Sequence, residues 1–330
     1  MRRIPASELR LDMMLKKQTF LLRDKNVTTT RAGSLMLRVT LADRTGTIAG
    51  VYFDVPGYVA DSLVPGKGVE VTGRVGEFKG QLQLGLERVV PIQFSLAELG
   101  EFLPTAQRPI QEMLDEFDAL RASIEQPDLE RLLAAIFDDA QVWGAFCQAP
   151  AAKSYHHACV GGLLEHTLSV ARLVLAACDL YPGMDRDLAI TVALLHDLGK
   201  ISAYDPITFE LTPEGSLWGH LYMAASHVER TILGLPNFDP EVRLRVVHAI
   251  LAHHGRLEHG SPVRPMTLEA IVLHYADNLD ADARGAIDQF VRTGGEGDVF
   301  TEHSLMHDTR LFRGTQDLSD ATPFEQESLW

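Results

Sequence analysis

Cysteine is scarce in this chain: Cys147, Cys159 and Cys178 are the only three in 330 residues, and they show no CxxC pair or other metal or redox spacing. That excludes a disulfide-stapled scaffold and a thiolate metal site, and leaves reduced structural thiols in a reducing compartment. Also lacking is any stretch long and uncharged enough to cross a bilayer, and the opening MRRIPASELRLDMMLKK has basic residues without the continuous apolar core of a signal peptide. A soluble, cytoplasmic protein with no membrane partner is expected. There is no internal repeat, low-complexity tract or flexible Gly/Ser linker. Positive charge is in deficit, 30 Lys+Arg against 45 Asp+Glu for a net charge of −15, which ordinarily argues against a polyanionic partner. Its distribution changes that reading. Residues 1–95 hold 14 Lys+Arg against 9 Asp+Glu, a balance of +5, and the remainder hold 16 against 36, a balance of −20. A basic segment can capture a strand while bound cations neutralise an acidic pocket.

With 46% hydrophobic residues the chain can bury a large core, and its length suits two domains. The first 95 residues read as strands, at Leu35–Leu41, Thr47–Phe53, Gly68–Val75 and Gln81–Val89, separated by Asp43-Arg44-Thr45-Gly46, Pro65-Gly66 and Lys79-Gly80. That pattern predicts a small closed β-barrel. From about residue 96 to 150 the period changes to helical, in IQEMLDEFDALRASI and DLERLLAAIFDDAQVWGAF, and a helical connector is expected there.

The second half carries His166, His196-Asp197, His220, His253-His254 and Asp277, each in or beside a stretch that reads as helix. These residue types hold one or two divalent cations, and helices can gather them from distant turns. DRDLAITVALLHDLGK is almost wholly apolar until His196-Asp197. A buried ionisable pair costs several kcal/mol unless a partner or a metal neutralises it. The pattern points to a metal-assisted hydrolase of all-α architecture.

The order of a long strand, a D-x-T-G turn, a strand ending in an aromatic pair, then PGKGVEVTGRV and FKGQLQL, resembles the OB-fold domains that bind single-stranded nucleic acid. In such barrels aromatics stack bases while cations follow phosphates, which makes Tyr52, Phe53, Arg74, Phe78 and Lys79 the candidates. Core packing or plain surface is the competing reading for each. H…HD…D resembles the HD-domain metal-dependent phosphohydrolases. PAAKSYHHACVGGLLEHTLSV, LLHDLGK, GHL and AHHGRLEHGSPVRPMTLEAIVLHYADNLDA extend the match to the bacterial YhaM-type 3′-to-5′ exoribonucleases over nearly the whole chain.

That resemblance implies an OB-fold nucleic-acid-binding domain over 1–95 and an HD phosphohydrolase over 151–330. It also implies a divalent metal (Mn²⁺ first, with Mg²⁺, Fe²⁺ and Co²⁺ as alternatives), single-stranded RNA or DNA as partner, and a homo-oligomer. By the HD pattern His166, His196, Asp197 and Asp277 form one metal site, Asp197 bridges to a second, and His220, His253 and His254 complete it. Two such cations suit phosphodiester hydrolysis, with Asp197 and Lys200 as the catalytic residues and Lys200 offsetting charge on phosphate. A lysine favouring the helix C-terminus is the plainer account of Lys200. Lys153, His156 and His157, in the matched AAKSYHH segment, are candidates to touch phosphate. Asp280, one turn after Asp277, is expected to anchor a ligand rather than bind metal. Two alternatives stay open: a phosphodiesterase of small or cyclic nucleotides, although the GYP triplet of one cyclic-dinucleotide class is absent after His253-His254, and a non-catalytic OB-fold DNA-binding protein.

Overall fold

The computed structural model describes residues 3–30, 33–94, 100–153, 157–292 and 299–314. They form two compact units that divide after Pro104.

In the first unit, strands β1 (Met14–Thr29), β2 (Leu35–Asp43), β3 (Gly46–Phe53), β4 (Gly68–Phe78) and β5 (Gln81–Ile92) close into a barrel of order β1-β2-β3-β5-β4. Helix α1 (Gly57–Ser62) lies between β3 and β4. All neighbours are antiparallel except β3 and β5. Alternate residues of each strand fill the interior, among them Phe20, Leu37, Val39, Leu41, Val71, Val75 and Leu84. Turn chemistry sets the register. Asp43 Oδ1 accepts from Thr45 N at 2.7 Å and from Thr45 Oγ1 at 2.6 Å, closing the β2–β3 hairpin. Lys79 (φ 52°) and Gly80 (φ 81°) both take positive φ between paired Phe78 and Gln81, as a two-residue hairpin loop that follows strand twist requires.

The sequence reading found β2 to β5 but not β1, the strand that closes the barrel against both β2 and β4. Its register shifts between Leu15 and Gln18 and again between Leu22 and Asp24, which breaks the two-residue alternation by which strands are recognised.

The second unit is helical. Helices α2 (Ile110–Ala122), α3 (Pro127–Phe137) and α4 (Ala140–Phe146) share one hydrophobic core with α5 (Gly162–Leu180), α6 (Arg186–Leu195), α9 (His220–Gly234), α10 (Pro240–Ala252) and α11 (Leu268–Arg292). Short helices α7 (Lys200–Ala203) and α8 (Pro213–Trp218) lie between α6 and α9. The segment expected as a connector thus supplies part of this core, through an aromatic cluster of Phe117, Phe137, Trp143 and Phe146. Side-chain caps fix where two key helices begin: Asp185 accepts from Leu188 N at the start of α6, and Asp239 from Glu241 N at the start of α10. A hairpin, β6 (Phe300–Ser304) and β7 (Thr309–Phe312), follows α11. No helix among the described residues is long and apolar enough to cross a membrane. The glycine-rich stretch from Gly294 to Gly297, whose composition favours a loop, lies outside the described residues.

Candidate functional site

Helices α6 and α10 end in the same way. His196 follows α6 and sets its Nδ1 2.8 Å from Ala193 O; His253 follows α10 and sets its Nδ1 2.7 Å from Ile250 O. The last turn of a helix leaves carbonyls without intrahelical donors. Each imidazole satisfies one of them with Nδ1–H, which leaves the Nε2 lone pair facing the pocket. His254 does likewise, its Nδ1 lying 2.8 Å from His259 O.

Asp197 stands at the centre of the cluster. Its Oδ2 lies 3.3 Å from His196 Nε2 and 3.4 Å from His166 Nε2, while Oδ1 lies 3.3 Å from His220 Nε2 and 3.7 Å from His253 Nε2. Asp277 Oδ1 is 3.1 Å from His166 Nε2 and 3.8 Å from His196 Nε2. Ligand-type atoms of His220, His253 and His254 converge in one group and those of His166, His196 and Asp197 in another, each within 4.8 Å. All seven histidines and aspartates singled out as metal ligands are therefore brought to one pocket, with Asp197 facing both groups.

The donor set fits divalent cations. Asp197 Oδ1, His220 Nε2 and His253 Nε2 are buried and form no hydrogen bond. Leaving such groups unsatisfied costs about 1–3 kcal/mol each, and three of them converging make a poor design unless a cation binds there. His196 Nε2 and His166 Nε2 lie 3.3 Å apart, close enough for one cation to meet both. Imidazole and carboxylate without thiolate suits the borderline and hard divalent ions.

Charges in the pocket are strongly perturbed. Burial opposes ionisation of Asp197, yet Lys200 and His196 hold its carboxyl well below the usual range. Burial would lower Lys200, but Asp197 and Asp277 raise it, and its Nζ sits 2.6 Å from Asp197 Oδ2. Burial pushes His220 down to about 3 and His253 well below its ordinary value. His166 is raised despite burial, by hydrogen bonds to Asp197, Asp277 and Asp280.

A stability profile follows for the chelated protein. Below about pH 6.5 the unfolded chain takes up protons at His220 and His253 that the folded chain refuses. His166 is protonated in both states there and does not enter the slope. The contribution of His220 and His253 is thus complete above that pH and is lost as pH falls below it, whereas that of His166 is lost as pH rises above it. Urea midpoints at pH 7.5, 6 and 5 check this, and a midpoint flat across them would contradict it.

Behind His166 runs a second line of contacts. His166 Nδ1 meets Asp280 Oδ2 at 2.7 Å, Asp280 Oδ2 meets His157 Nε2 at 3.1 Å, and His157 Nδ1 meets Glu165 Oε2 at 3.0 Å. Glu165 Oε1 in turn accepts from the backbone N–H groups of Gln107 and Arg108, both at 3.1 Å. Asp280 therefore orients His166, as expected from its place one turn after Asp277. His157 differs from its expected place. It is 2% exposed with both ring nitrogens on carboxylates, so it faces inward rather than toward a substrate phosphate. Glu165 was not singled out from sequence; a carboxylate inside the apolar run LLEHTL was the available signal.

The remaining expected contacts are dispersed. Lys153 is exposed and forms an ion pair with Glu210 at 2.6 Å, and His156 lies outside the described residues. On the barrel, Tyr52 sits opposite the fully buried Leu37 and packs against the interior, so core packing accounts for it. Phe53 and Phe78 are exposed but lie toward opposite ends of the β3–β5 seam, roughly 20 Å apart along the strands. Arg74 is exposed, 3.8 Å from Asp12. Lys79 Nζ lies 5.6 Å from the Phe78 ring centroid at the tip of the β4–β5 hairpin, so these two alone of the five form a joint cation–aromatic surface.

Gly199 explains how His220 reaches Asp197. A Cβ there would lie 2.1 Å from His220 O and 2.7 Å from Ala224 N, so α9 can dock its first turn only against a residue without a side chain. Gly199→Ala is expected to push α9 outward at a cost of about 1–3 kcal/mol and to weaken cation binding at His220. Calorimetric Mn²⁺ titration and a melting curve check this, and unchanged values in both would contradict it.

Comparison with known proteins places two families on these units. The HD domain family matches residues 163–282, and the OB-fold nucleic acid binding domain family matches residues 24–92. The 3′-5′ exoribonuclease YhaM of Bacillus subtilis (strain 168) is 35% identical over 251 residues, 76% of this chain and 79% of that one. Its Bacillus licheniformis counterpart is 33% identical over 283 residues, 85% of this chain and 88% of that one. Among solved structures, the second OB-fold domain of replication protein A from Methanococcus maripaludis is 22% identical, with a TM-score of 0.22, over 29% of this chain and 99% of that one. With barrel and helical unit each matched, and with this identity over most of its length, the chain belongs to the YhaM family of 3′-5′ exoribonucleases.

Proposed function

We propose that this protein is a divalent-metal-dependent 3′-to-5′ exonuclease of single-stranded RNA, with single-stranded DNA as a second substrate. Residues 1–95 capture the strand, and the helical unit, to whose core the helices over 110–146 belong, cuts it. The observation that carries this reading is the placement of Asp197, one oxygen toward His166 and His196 and the other toward His220 and His253. The names of the relatives support the same reaction.

In this reading His166, His196, Asp197 and Asp277 hold one cation, and His220, His253, His254 and the other oxygen of Asp197 hold a second, Mn²⁺ being the first candidate. Such a pair supplies Lewis-acid activation of the phosphoryl group and of the attacking water. Lys200 keeps a positive charge beside Asp197, where it offsets charge gathering on phosphate. The line Glu165–His157–Asp280 holds the His166 ring so that Nε2 points into the pocket. Burial of the ligands excludes bulk water and strengthens each of these interactions.

The test is digestion of a 5′-labelled single-stranded RNA and its DNA counterpart with Mn²⁺, beside a chelated control. A ladder shortening from the 3′ end only when metal is present is expected. Strands left intact in every lane, with turnover of small or cyclic nucleotides instead, would replace this reading with that of a nucleotide phosphodiesterase.

A further inference from the structure

Beside the candidate metal centre lies a cavity of about 530 Å³, a size in the range of small-ligand sites. Its lining includes Leu198, Gly199, Trp218, Tyr222, His227 and Arg230, with the carboxylate of Glu214 as its one acidic group. Its position along the chain is telling. Leu198 follows Asp197 directly, Trp218 precedes His220 by two residues, and His227 lies two helical turns beyond His220 on the same face of α9, about 10 Å along the axis. The cavity therefore touches the residue that follows Asp197 and runs along the helix that presents His220, without being lined by any of the seven candidate ligands themselves.

Its aromatics are unlike those of the core. Trp218 is 58% exposed and Tyr222 56%, whereas Phe117 and Phe146 of the helical core are at most 1% exposed. The Trp218 and Tyr222 rings stand 6.4 Å apart at 78°, offering faces in two directions. Arg230 adds a cation, its Nε anchored on Ser226 O at 3.2 Å. Exposed aromatic faces with a guanidinium are the elements that bind unpaired bases without regard to sequence.

We propose that this cavity is a nucleobase subsite, in which Trp218 and Tyr222 stack a base of the single-stranded substrate close to the scissile phosphate and Arg230 meets its backbone. The inference rests on the exonuclease reading above. It gives the acidic helical unit its own grip on the strand, apart from the barrel, through stacking, which needs little net positive charge. Because every base has a π-face, this grip is blind to sequence.

An abasic scan tests it. Ribo-oligonucleotides carrying one abasic ribose at successive positions from the 3′ end are digested by the wild-type protein and by Trp218→Ala/Tyr222→Ala, with Mn²⁺ present. In the wild type, one register near the 3′ end should raise KM by roughly 5- to 150-fold, the range for losing one stacked base. In the double variant the intact strand should already carry that loss and the abasic penalty at that register should vanish; Trp218→Phe/Tyr222→Phe should restore both. A penalty that persists unchanged in the alanine variant overturns the subsite. So does a change of oligomeric state on sedimentation of that variant, which would make the aromatic surface a contact between copies of the chain. Failure of the wild type to shorten any strand would instead overturn the exonuclease reading, a result distinct from both.

Discussion

Asp197→Ala is expected to lower the rate of RNA hydrolysis by roughly 10³-fold or more, because the variant gives up about 4 kcal/mol or more of transition-state charge stabilisation. The argument is geometric. Asp197 is the only one of the seven candidate ligands whose two oxygens address both groups, so its loss unlinks them rather than trimming one. It also strips the buried Lys200 of a carboxylate 2.6 Å away. Binding of a labelled strand, measured by fluorescence anisotropy at fixed salt, should change by no more than about twofold under the proposal that residues 1–95 capture the strand through phosphate contacts. Turnover near the wild-type level, in a variant whose metal content has been measured, would sink the role given to Asp197 and the two-cation reading with it.

His157→Leu should have the second-largest effect, and on stability rather than chemistry. His157 is buried between Glu165 and Asp280, with Nδ1 3.0 Å from Glu165 Oε2 and Nε2 3.1 Å from Asp280 Oδ2. Removing one partner from a buried ionic arrangement costs about 3–5 kcal/mol, because the remaining charges lose their compensation. For a unit of this size that corresponds to a drop in melting temperature of about 10 °C. His157→Gln keeps one amide donor and should fall between the two. Calorimetric melting of the three proteins in chelator separates these cases; a His157→Leu protein that melts with the wild type would show that His157 does not support His166 as described.

Much of the architecture was legible because it rests on local patterns. Strands β2 to β5 show clear alternation and are punctuated by turns with a chemical reason, Asp43 to Gly46 and Lys79-Gly80. Strand β1 was not legible, since two bulges break its alternation and charged residues interrupt it. In the helical unit, residue type and an apolar setting were enough to single out the seven histidines and aspartates that share the pocket. What could not be read was direction. AAKSYHH shows an exposed-looking basic segment, and only three-dimensional packing turns His157 inward onto two carboxylates. Nor does sequence reveal that His196 and His253 each lock their ring on a carbonyl three residues back, since that depends on where the helix stops. Tyr52 and Phe53 are neighbours in sequence with opposite environments, because adjacent strand residues face opposite sides of the sheet.

The contact of α9 with Gly199 also bears on how this protein can vary. His220 is placed by the contact of its carbonyl with Gly199 and by Ala224, Ala225, Val228 and Ile232 of α9 packing into the helical core, more than by the nineteen residues that lead from Ile201 to Gly219. Exposed positions of that stretch, such as Leu211 and Leu217, can change their side chains while the pocket keeps its geometry, so long as Gly199 and Gly215, whose Cβ would lie 2.2 Å from Ala203 O, stay bare. New substrate preferences can thus arise by side-chain exchange beside the reacting centre without rebuilding it.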